Sequence, residues 1–267
     1  MSILDRNSQS FIAGSLIGTL GGLIGLGGAE FRLPVLVGIF RFSTLEAIIL
    51  NKAMSLVVVA AALGVRGGII APGTLFEHLD VVLNLLVGSL FGAWWAAGRA
   101  IRLPLQWLNH IILVLLIGLA TLMLWEAWSG VHNGTSPLFE PGAIRWIAGL
   151  FAGIGIGMVA ALLGVAGGEL LIPTIVLLYG LDIKLAGSLS LMVSLPTMIV
   201  GFTRYTHADA FKVLGEEKMF IGWMVAGSIL GAAIGGLLLG LVPTQWLLGL
   251  LGVILVVSAI KTFQHTH

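Results

Sequence analysis

The sequence contains no cysteine, so disulfide bonds and thiol chemistry are excluded. Charge is also scarce: Asp, Glu, Lys and Arg make up 9% of the 267 residues, whereas soluble proteins carry about 25%. The formal net charge is +1, and no basic run points to nucleic acid. The sequence has neither the GxxxxGK[ST] motif that binds nucleotide phosphates nor the HExxH motif that binds zinc. We therefore expect no enzyme, no cofactor and no nucleic-acid partner.

Hydrophobic residues dominate what the sequence does contain. They form 58% of the chain, the mean hydropathy is +1.09, and glycine occurs 38 times. Nearly uncharged stretches such as 81–98 and 246–260 approach the ~20 residues that a helix needs to cross a hydrocarbon core of ~30 Å. The composition predicts an all-α polytopic membrane protein, surrounded by lipid, which we place in the bacterial cytoplasmic membrane.

The chain contains an internal duplication. An offset of 139 residues, the distance from Pro34 to Pro173, aligns two halves without a gap. The aligned identities are Ala13 with Ala152, Gly14 with Gly153, Gly18 with Gly157, Gly25 with Gly164, Gly28 with Gly167, Glu30 with Glu169, Ala47 with Ala186 and Ser55 with Ser194. We predict an N-terminal repeat at 1–128, a polar linker at 129–142 and a C-terminal repeat at 143–267.

Each repeat is predicted to contain five apolar segments, of which the second is too short to span a membrane. The segments are 11–26, 31–40, 44–65, 79–98 and 105–128 in the first half, and 144–164, 170–180, 183–203, 219–241 and 244–260 in the second. The first two segments of each half form either a re-entrant hairpin or one broken crossing. A hairpin makes the two repeats inverted, and a broken crossing makes them parallel.

The distribution of positive charge distinguishes these two topologies. A hairpin places three basic residues on the far side, Arg66, Arg145 and Lys184, and eight on the N-terminal side: Arg6, Arg41, Arg99, Arg102, Arg204, Lys212, Lys218 and Lys261. A broken crossing divides the same residues more evenly and puts Arg99 and Arg102 opposite Arg204. The positive-inside rule therefore favours inverted repeats with both termini in the cytoplasm. Two full crossings by the first two segments would give the same distribution of charge, so this variant stays open beside the hairpin.

A glycine–acid–proline element occurs once in each half, as "GLGGAEFRLPV" at 25–35 and "GVAGGELLIPT" at 164–174. A helix break at membrane depth must be buried in protein or line a wet cavity. The helix after each break points N–H groups and the positive end of its dipole at the break, which favours an anion. Paired broken helices are common in secondary transporters. We predict one anion site between the breaks, with backbone from Gly27, Gly28, Gly167 and Gly168.

Each element also carries an acid, Glu30 in the first and Glu169 in the second. An acid in the first turn of a helix complements the dipole and caps free N–H groups. Alternatively, a carboxyl group inside the membrane that is protonated during binding would couple transport to protons or gate the site. Both interpretations stay open.

The third segments supply further candidates for the site. Asn51, Lys52 and Ser55 interrupt an apolar helix in the first half, and Ser190 and Ser194 occupy the equivalent helix. Serines in membrane helices either bind ligands or join neighbouring helices, and both roles stay open here. A lysine at membrane depth is a candidate anion partner, unless its long side chain reaches back to the interface.

Other residues are assigned structural roles. Arg32 and Arg204 lie near segment ends, where we expect them to anchor the chain at the membrane interface. Glycines four residues apart are expected to permit close helix packing, namely Gly14 with Gly18 and Gly153 with Gly157.

The chain resembles the sulfite exporter TauE/SafE family of membrane transporters. Two stretches carry the resemblance, "GLIGLGGAEFRLPVLVGIF" and "ALLGVAGGELLIPTIVLLYGLDIKLAGSLSLMVS". The resemblance covers essentially the whole chain and implies export of a small sulfur oxyanion such as sulfite or an organosulfonate. The residues alone indicate only a secondary transporter for an anion, with protons as a candidate coupling ion. A passive anion channel, a cation transporter using the paired Glu residues and a non-transporting scaffold are the alternatives. A homo-oligomer is compatible with the sequence.

Overall fold

The computed structural model describes residues 3–24, 28–67, 77–129, 137–181, 183–237, 249, 252–257 and 259–260. These residues form helices and short connections and contain no strand, which confirms the all-α class. The helices are α1 (Ile3–Ile24), α2 (Ala29–Gly38), α3 (Thr44–Gly67), α4 (Leu79–Ala100), α5 (Leu105–Ser129), α6 (Ala143–Leu163), α7 (Gly168–Tyr179), α8 (Ile183–Tyr205), α9 (Val213–Glu216) and α10 (Lys218–Leu237). A 3-10 turn, Asp209–Lys212, precedes α9, and residues 252–257 are again helical.

Helix starts recur along the chain with the same offset of 139 residues. The equivalent starts are Ala29 and Gly168 for α2 and α7, Thr44 and Ile183 for α3 and α8, and Leu79 and Lys218 for α4 and α10. In each half a long first helix, of 22 or 21 residues, precedes a short second helix of 10 or 12 residues. The local structure therefore repeats with the same period as the sequence.

Several helices are suited to a membrane by length and composition. Within the described residues, five stretches qualify: Leu79–Ala100, Leu105–Trp125, Ala143–Leu163, Leu185–Tyr205 and Lys218–Gly235. Large apolar side chains on their outer faces are exposed, for example Phe91 at 58% and Val114 at 68%. Extended apolar surface of this kind is typical of helices that face lipid.

The first short helix, α2, returns along the N-terminal half of α1. Its N-terminal end lies beside the middle of α1, because a Cβ on Gly28 would come 3.1 Å from Cγ2 of Ile17. Just after its C-terminal end, the Phe42 ring lies 5.2 Å from Cζ of Arg6, in the first turns of α1. Helices α1 and α2 therefore form a hairpin whose two ends lie close together.

The second short helix, α7, makes the equivalent hairpin with α6. A Cβ on Gly167, just before α7, would lie 3.2 Å from Cγ2 of Ile156 in the middle of α6. Leu138, which precedes α6, donates its N–H to the carbonyl of Leu177 in the last turn of α7 at 2.9 Å. Both halves therefore contain the short returning helix that the sequence predicts.

Two close helix crossings, α1 on α10 and α4 on α6, hold the halves together. Each joins the first long helix of one half to the fourth segment of the other half. Four glycines face backbone across these crossings in equivalent positions: Gly14 against Met224, Gly18 against Ser228, Gly153 against Leu85 and Gly157 against Ser89. The expected packing role of these glycines is confirmed, and the two halves interlock.

Candidate functional site

Two basic side chains are completely buried in the protein, Arg32 near the start of α2 and Lys52 in α3, each with 0% exposure. The expectation that Arg32 anchors the chain at the interface is wrong, because α2 turns back into the protein and carries its first turn inward. The alternative that Lys52 reaches back to the membrane surface is also wrong. Buried charge is costly inside a membrane protein and marks a candidate functional site.

The Arg32 guanidinium is held by polar groups from two other helices. Its Nη1 donates to Oδ1 of Asn51 and to Oγ of Ser55, both at 3.3 Å, and its Nη2 donates to Oγ of Ser228 at 3.2 Å. The Nε–H finds no hydrogen-bond partner within the described part of the chain. These three partners are neutral, so they fix the orientation of the guanidinium without compensating its charge.

Glu30 lies two residues before Arg32 in the first turn of α2. Its side chain is fully buried, and it interacts electrostatically with Arg32. This position suits the first of the two proposed roles, because the helix dipole and a nearby cation each favour an ionised carboxylate. Coupling to protons needs the protonated form, and that role stays a prediction. The equivalent residue, Glu169, is in the first turn of α7, and its side chain lies outside the described residues.

A glycine at each of the two breaks adopts a left-handed backbone conformation. Gly28 and Gly167 precede α2 and α7 at equivalent positions, with φ of 69° and 79°. A side chain would be strained in this left-handed region. Gly168 is already the first residue of α7, and Gly27 lies outside the described residues.

Asn51 connects the two breaks through a single side chain. Its Nδ2 donates to the carbonyl of Ala29, the first residue of α2, and to that of Leu163, the last residue of α6, each at 2.9 Å. Its Oδ1 accepts from Arg32. The two breaks are therefore adjacent, and both amide hydrogens of Asn51 are used by the backbone. Asn51 positions the site and has no donor left for a ligand.

The last turn of α6 is capped by side chains from other helices. Lys52 Nζ donates to the carbonyl of Ala160 at 3.2 Å, and the Tyr205 hydroxyl donates to that of Ala161 at 3.1 Å. A cation at the C-terminal end of a helix interacts favourably with its dipole. The ammonium also lies over Gly201, where a Cβ would come 2.8 Å from Nζ. No carboxylate in the described residues forms a salt bridge with Lys52.

The serines of the site differ in the use of their hydroxyl groups. Ser190 donates to the carbonyl of Gly187 in its own helix at 2.8 Å, and Ser55 accepts from Arg32. The hydroxyl of Ser194 is buried and has no partner within the described ranges. The Ser190 hydrogen is therefore used within its own helix, whereas the hydroxyl of Ser194 is available to a ligand.

Sequence reasoning missed Arg32 and Ser228 as members of the site. The signal for Arg32 was present, because Arg32 closely follows a helix break, and a break at membrane depth must be buried in protein or line a wet cavity. Ser228 has no comparable signal, since its position in α10 reaches Arg32 only through the close packing of α10 on α1.

We expect Asn51→Leu to destabilise the protein by about 2–3 kcal/mol, because leucine removes the hydrogen bonds to both breaks and leaves the terminal carbonyl of Leu163 and the Arg32 guanidinium with fewer partners. Thermal unfolding in detergent measures this effect. The matched control is Ser190→Ala at the equivalent position of α8, which removes one bond within a single helix. Equal stability of the two variants would contradict a joining role for Asn51.

Comparison with known proteins adds one finding to this geometry. A family model described as "Sulfite exporter TauE/SafE" matches residues 10–262. No curated protein and no solved structure matches the chain significantly. The match covers the first hairpin from residue 10 onward, the whole second hairpin and all five candidate spans. The chain is an integral membrane protein and belongs to the sulfite exporter TauE/SafE family.

Proposed function

We propose that the protein is a secondary transporter that exports a small sulfur oxyanion, such as sulfite or an organosulfonate, across the bacterial cytoplasmic membrane. The observation that carries this proposal is the burial of Arg32 and Lys52 beside two adjacent helix breaks. The substrate binds at these two cations, with Ser194 and the backbone around Gly28 and Gly167 completing the site.

The charge balance of the site supports an anionic substrate. Among the described residues, the buried Asp, Glu, Lys and Arg side chains are Arg32, Lys52 and Glu30, which leaves one positive charge when all three are ionised. An uncompensated charge in a low-dielectric interior is strongly unfavourable. An oxyanion would offset this cost and would accept hydrogen bonds from Ser194 and from the Nε–H of Arg32, which has no partner among the described residues. A cation transporter would need the opposite balance.

Contacts at the membrane surface support the inverted topology. Arg6 at the start of α1 forms a 2.8 Å salt bridge with Glu217 and lies over the Phe42 ring. Arg99, Arg102 and Arg204 line a common surface pocket. A broken crossing would separate Arg6 from Phe42 and Arg99 from Arg204. We therefore propose inverted repeats, with both termini on the cytoplasmic side, where the basic residues collect.

Proton coupling through Glu30 and Glu169 is the finer part of the proposal. Glu30 is buried next to Arg32, so its charge opposes an anion that binds to the same guanidinium. Protonation of Glu30 as the substrate binds would remove this repulsion and would carry a proton with the anion. A fixed, ionised Glu30 fits a passive channel better, because nothing then links anion movement to a proton gradient.

Flux measurements on the purified protein in liposomes test the proposal. We expect saturable release of sulfite or an organosulfonate, and accumulation against a concentration gradient when a pH gradient is imposed. Arg32→Gln should reduce the flux by about 10- to 100-fold, as expected for the loss of a charge-assisted contact. Arg41→Gln, at an exposed position, is the matched control.

The alternatives give different results in the same experiment. Oxyanion flux that runs only down its own concentration gradient, with no accumulation when a pH gradient is imposed, would indicate a channel. Cation flux without oxyanion flux would indicate a cation transporter, and no flux of either kind would indicate a scaffold. Glu30→Gln separates the coupling from the substrate, because it should remove the dependence on pH while oxyanion binding persists.

A further inference from the structure

A second basic site lies at the surface, away from the buried cations. A pocket of about 410 Å³ is formed by the C-terminal end of α4, the turn after it and the C-terminal end of α8. Three arginines line this pocket, Arg99, Arg102 and Arg204, together with the indole rings of Trp94 and Trp95. None of the three arginines forms a salt bridge with a carboxylate in the described part of the chain.

Aromatic side chains and one glycine hold two of the guanidinium groups in place. Cζ of Arg99 lies 4.0 Å from the centroid of the Trp95 ring, and Cζ of Arg204 lies 4.6 Å from that of Trp94. Arg204 also crosses α4 at Gly98, where a Cβ would come 2.9 Å from its Nε. Cation–π stacking leaves the edge of a guanidinium free to donate hydrogen bonds.

The pocket lies at a membrane boundary. Helix α4 and the C-terminal part of α8 are candidate spans, and Arg99 and Arg204 occupy their last turns. A basic residue there interacts favourably with the helix dipole, which accounts for Arg99 and Arg204 singly. It does not account for Arg102, which follows the end of α4 and extends the same cluster. Tryptophan is enriched at this level of the bilayer.

An apolar stripe leads from the pocket toward the middle of the membrane. It runs along one face of α4 at intervals of three or four residues and comprises Leu83, Val87, Phe91 and Trp94, each between 48% and 60% exposed. The stripe adjoins the basic pocket in the same way that the acyl chains of a phospholipid adjoin its headgroup. A free oxyanion has no apolar group that could pack against this stripe.

We infer that the pocket binds the phosphate headgroup of an anionic phospholipid, with the acyl chains along the α4 stripe. The three guanidinium groups donate to the phosphate oxygens, and Gly98 leaves the space that Arg204 needs to join them. Basic pockets between membrane helices recognise anionic lipids by this chemistry. Pocket volumes of a few hundred Å³ are typical of small-ligand sites.

Lipid titration of the delipidated full-length protein in detergent tests this inference. We expect phosphatidylglycerol to raise the unfolding temperature, and phosphatidylcholine to have a much smaller effect. The triple variant Arg99→Gln/Arg102→Gln/Arg204→Gln should bind phosphatidylglycerol at least about tenfold more weakly, because charged contacts to phosphate dominate such sites. Gly98→Leu, which displaces Arg204 without removing charge, should weaken binding as well.

A control variant with the same change of charge distinguishes lipid binding in the pocket from nonspecific electrostatic attraction to anionic lipid. Arg41→Gln/Lys212→Gln/Lys218→Gln removes three exposed basic residues elsewhere and should bind phosphatidylglycerol as the wild type does. Equal weakening in both triple variants would overturn the inference. Equal effects of the two lipids would also overturn it. Stabilisation by glycerol phosphate or inorganic phosphate that is as large as that by phosphatidylglycerol, and that is lost in the triple variant of the pocket, would overturn it in favour of a free oxyanion.

Discussion

Replacing Lys52 with methionine is expected to stop oxyanion transport and to leave the protein at least as stable as before. Methionine has nearly the length of lysine and keeps the buried contacts of its side chain. The carbonyl of Ala160 loses the ammonium but still accepts from the N–H of Gly164 and, at 3.2 Å, from that of Val165. No buried acceptor is therefore left without a hydrogen bond, while the charge that attracts the anion disappears.

The two effects have opposite signs, and both are large enough to measure. Burial of an ion costs several kcal/mol even after the protein relaxes, and about 1 kcal/mol shifts the Tm by roughly 2–4 °C in a chain of this size. The Tm should therefore rise by several degrees. Flux should fall by about 100-fold or more, which corresponds to roughly 3 kcal/mol of lost substrate interaction. Flux in liposomes and thermal unfolding in detergent give the two values.

Lys212→Met provides the matched control, because that lysine has a side chain 75% exposed to solvent. It should transport at the wild-type rate. If Lys52→Met transports normally, or if its Tm falls as far as that of Asn51→Leu, the lysine serves to cap α6 and does not bind the substrate. The paired measurement therefore distinguishes a binding cation from a structural one.

The sequence was sufficient for the features that repeat. The offset from Pro34 to Pro173 predicted the equivalent breaks, and the spacing of Gly14 and Gly18 predicted a close helix crossing. These features depend on local backbone chemistry, because glycine is required wherever a chain turns with positive φ or two backbones approach. Such requirements are visible without knowledge of the partner helix.

The site was less predictable because it depends on which helices meet. Asn51 was a candidate ligand from its polarity, yet both of its amide hydrogens bond the backbone of two other helices. Arg32 was assigned to the membrane interface because it lies near a segment end. In the structure α2 turns back into the protein, so the residues of its first turn are buried. Neither result follows from periodicity, since each needs the contact between α3 and the two breaks.

Gly157→Ala is expected to destabilise the protein strongly, whereas Gly155→Ala, two residues earlier on the same helix, is expected to be tolerated. A Cβ on Gly157 would overlap the carbonyl oxygen of Ser89 and lie 2.7 Å from its carbon, whereas a Cβ on Gly155 meets nothing within 4 Å. Backbone cannot move aside as a flexible side chain can, so α4 and α6 must separate along the crossing.

The expected difference in unfolding free energy between these variants is about 3 kcal/mol, the upper end of the cost of overpacking, because the overlap is with backbone. The helix propensity that alanine gains over glycine is the same in both variants and cancels. Such a difference corresponds to roughly 10 °C in Tm. Far-UV circular dichroism during heating in detergent measures it, with size-exclusion chromatography to confirm that each variant is folded at the start.

The duplication adds a test that no single crossing provides. Gly18 holds the equivalent position on α1, where a Cβ would lie 2.8 Å from Cα of Ser228 in α10. If the two crossings contribute equally, Gly18→Ala and Gly157→Ala should lower the Tm by similar amounts. A Tm for either variant equal to that of Gly155→Ala would contradict the close approach of the backbones. Because each crossing joins the two halves, loss of either should unfold both hairpins together in one transition.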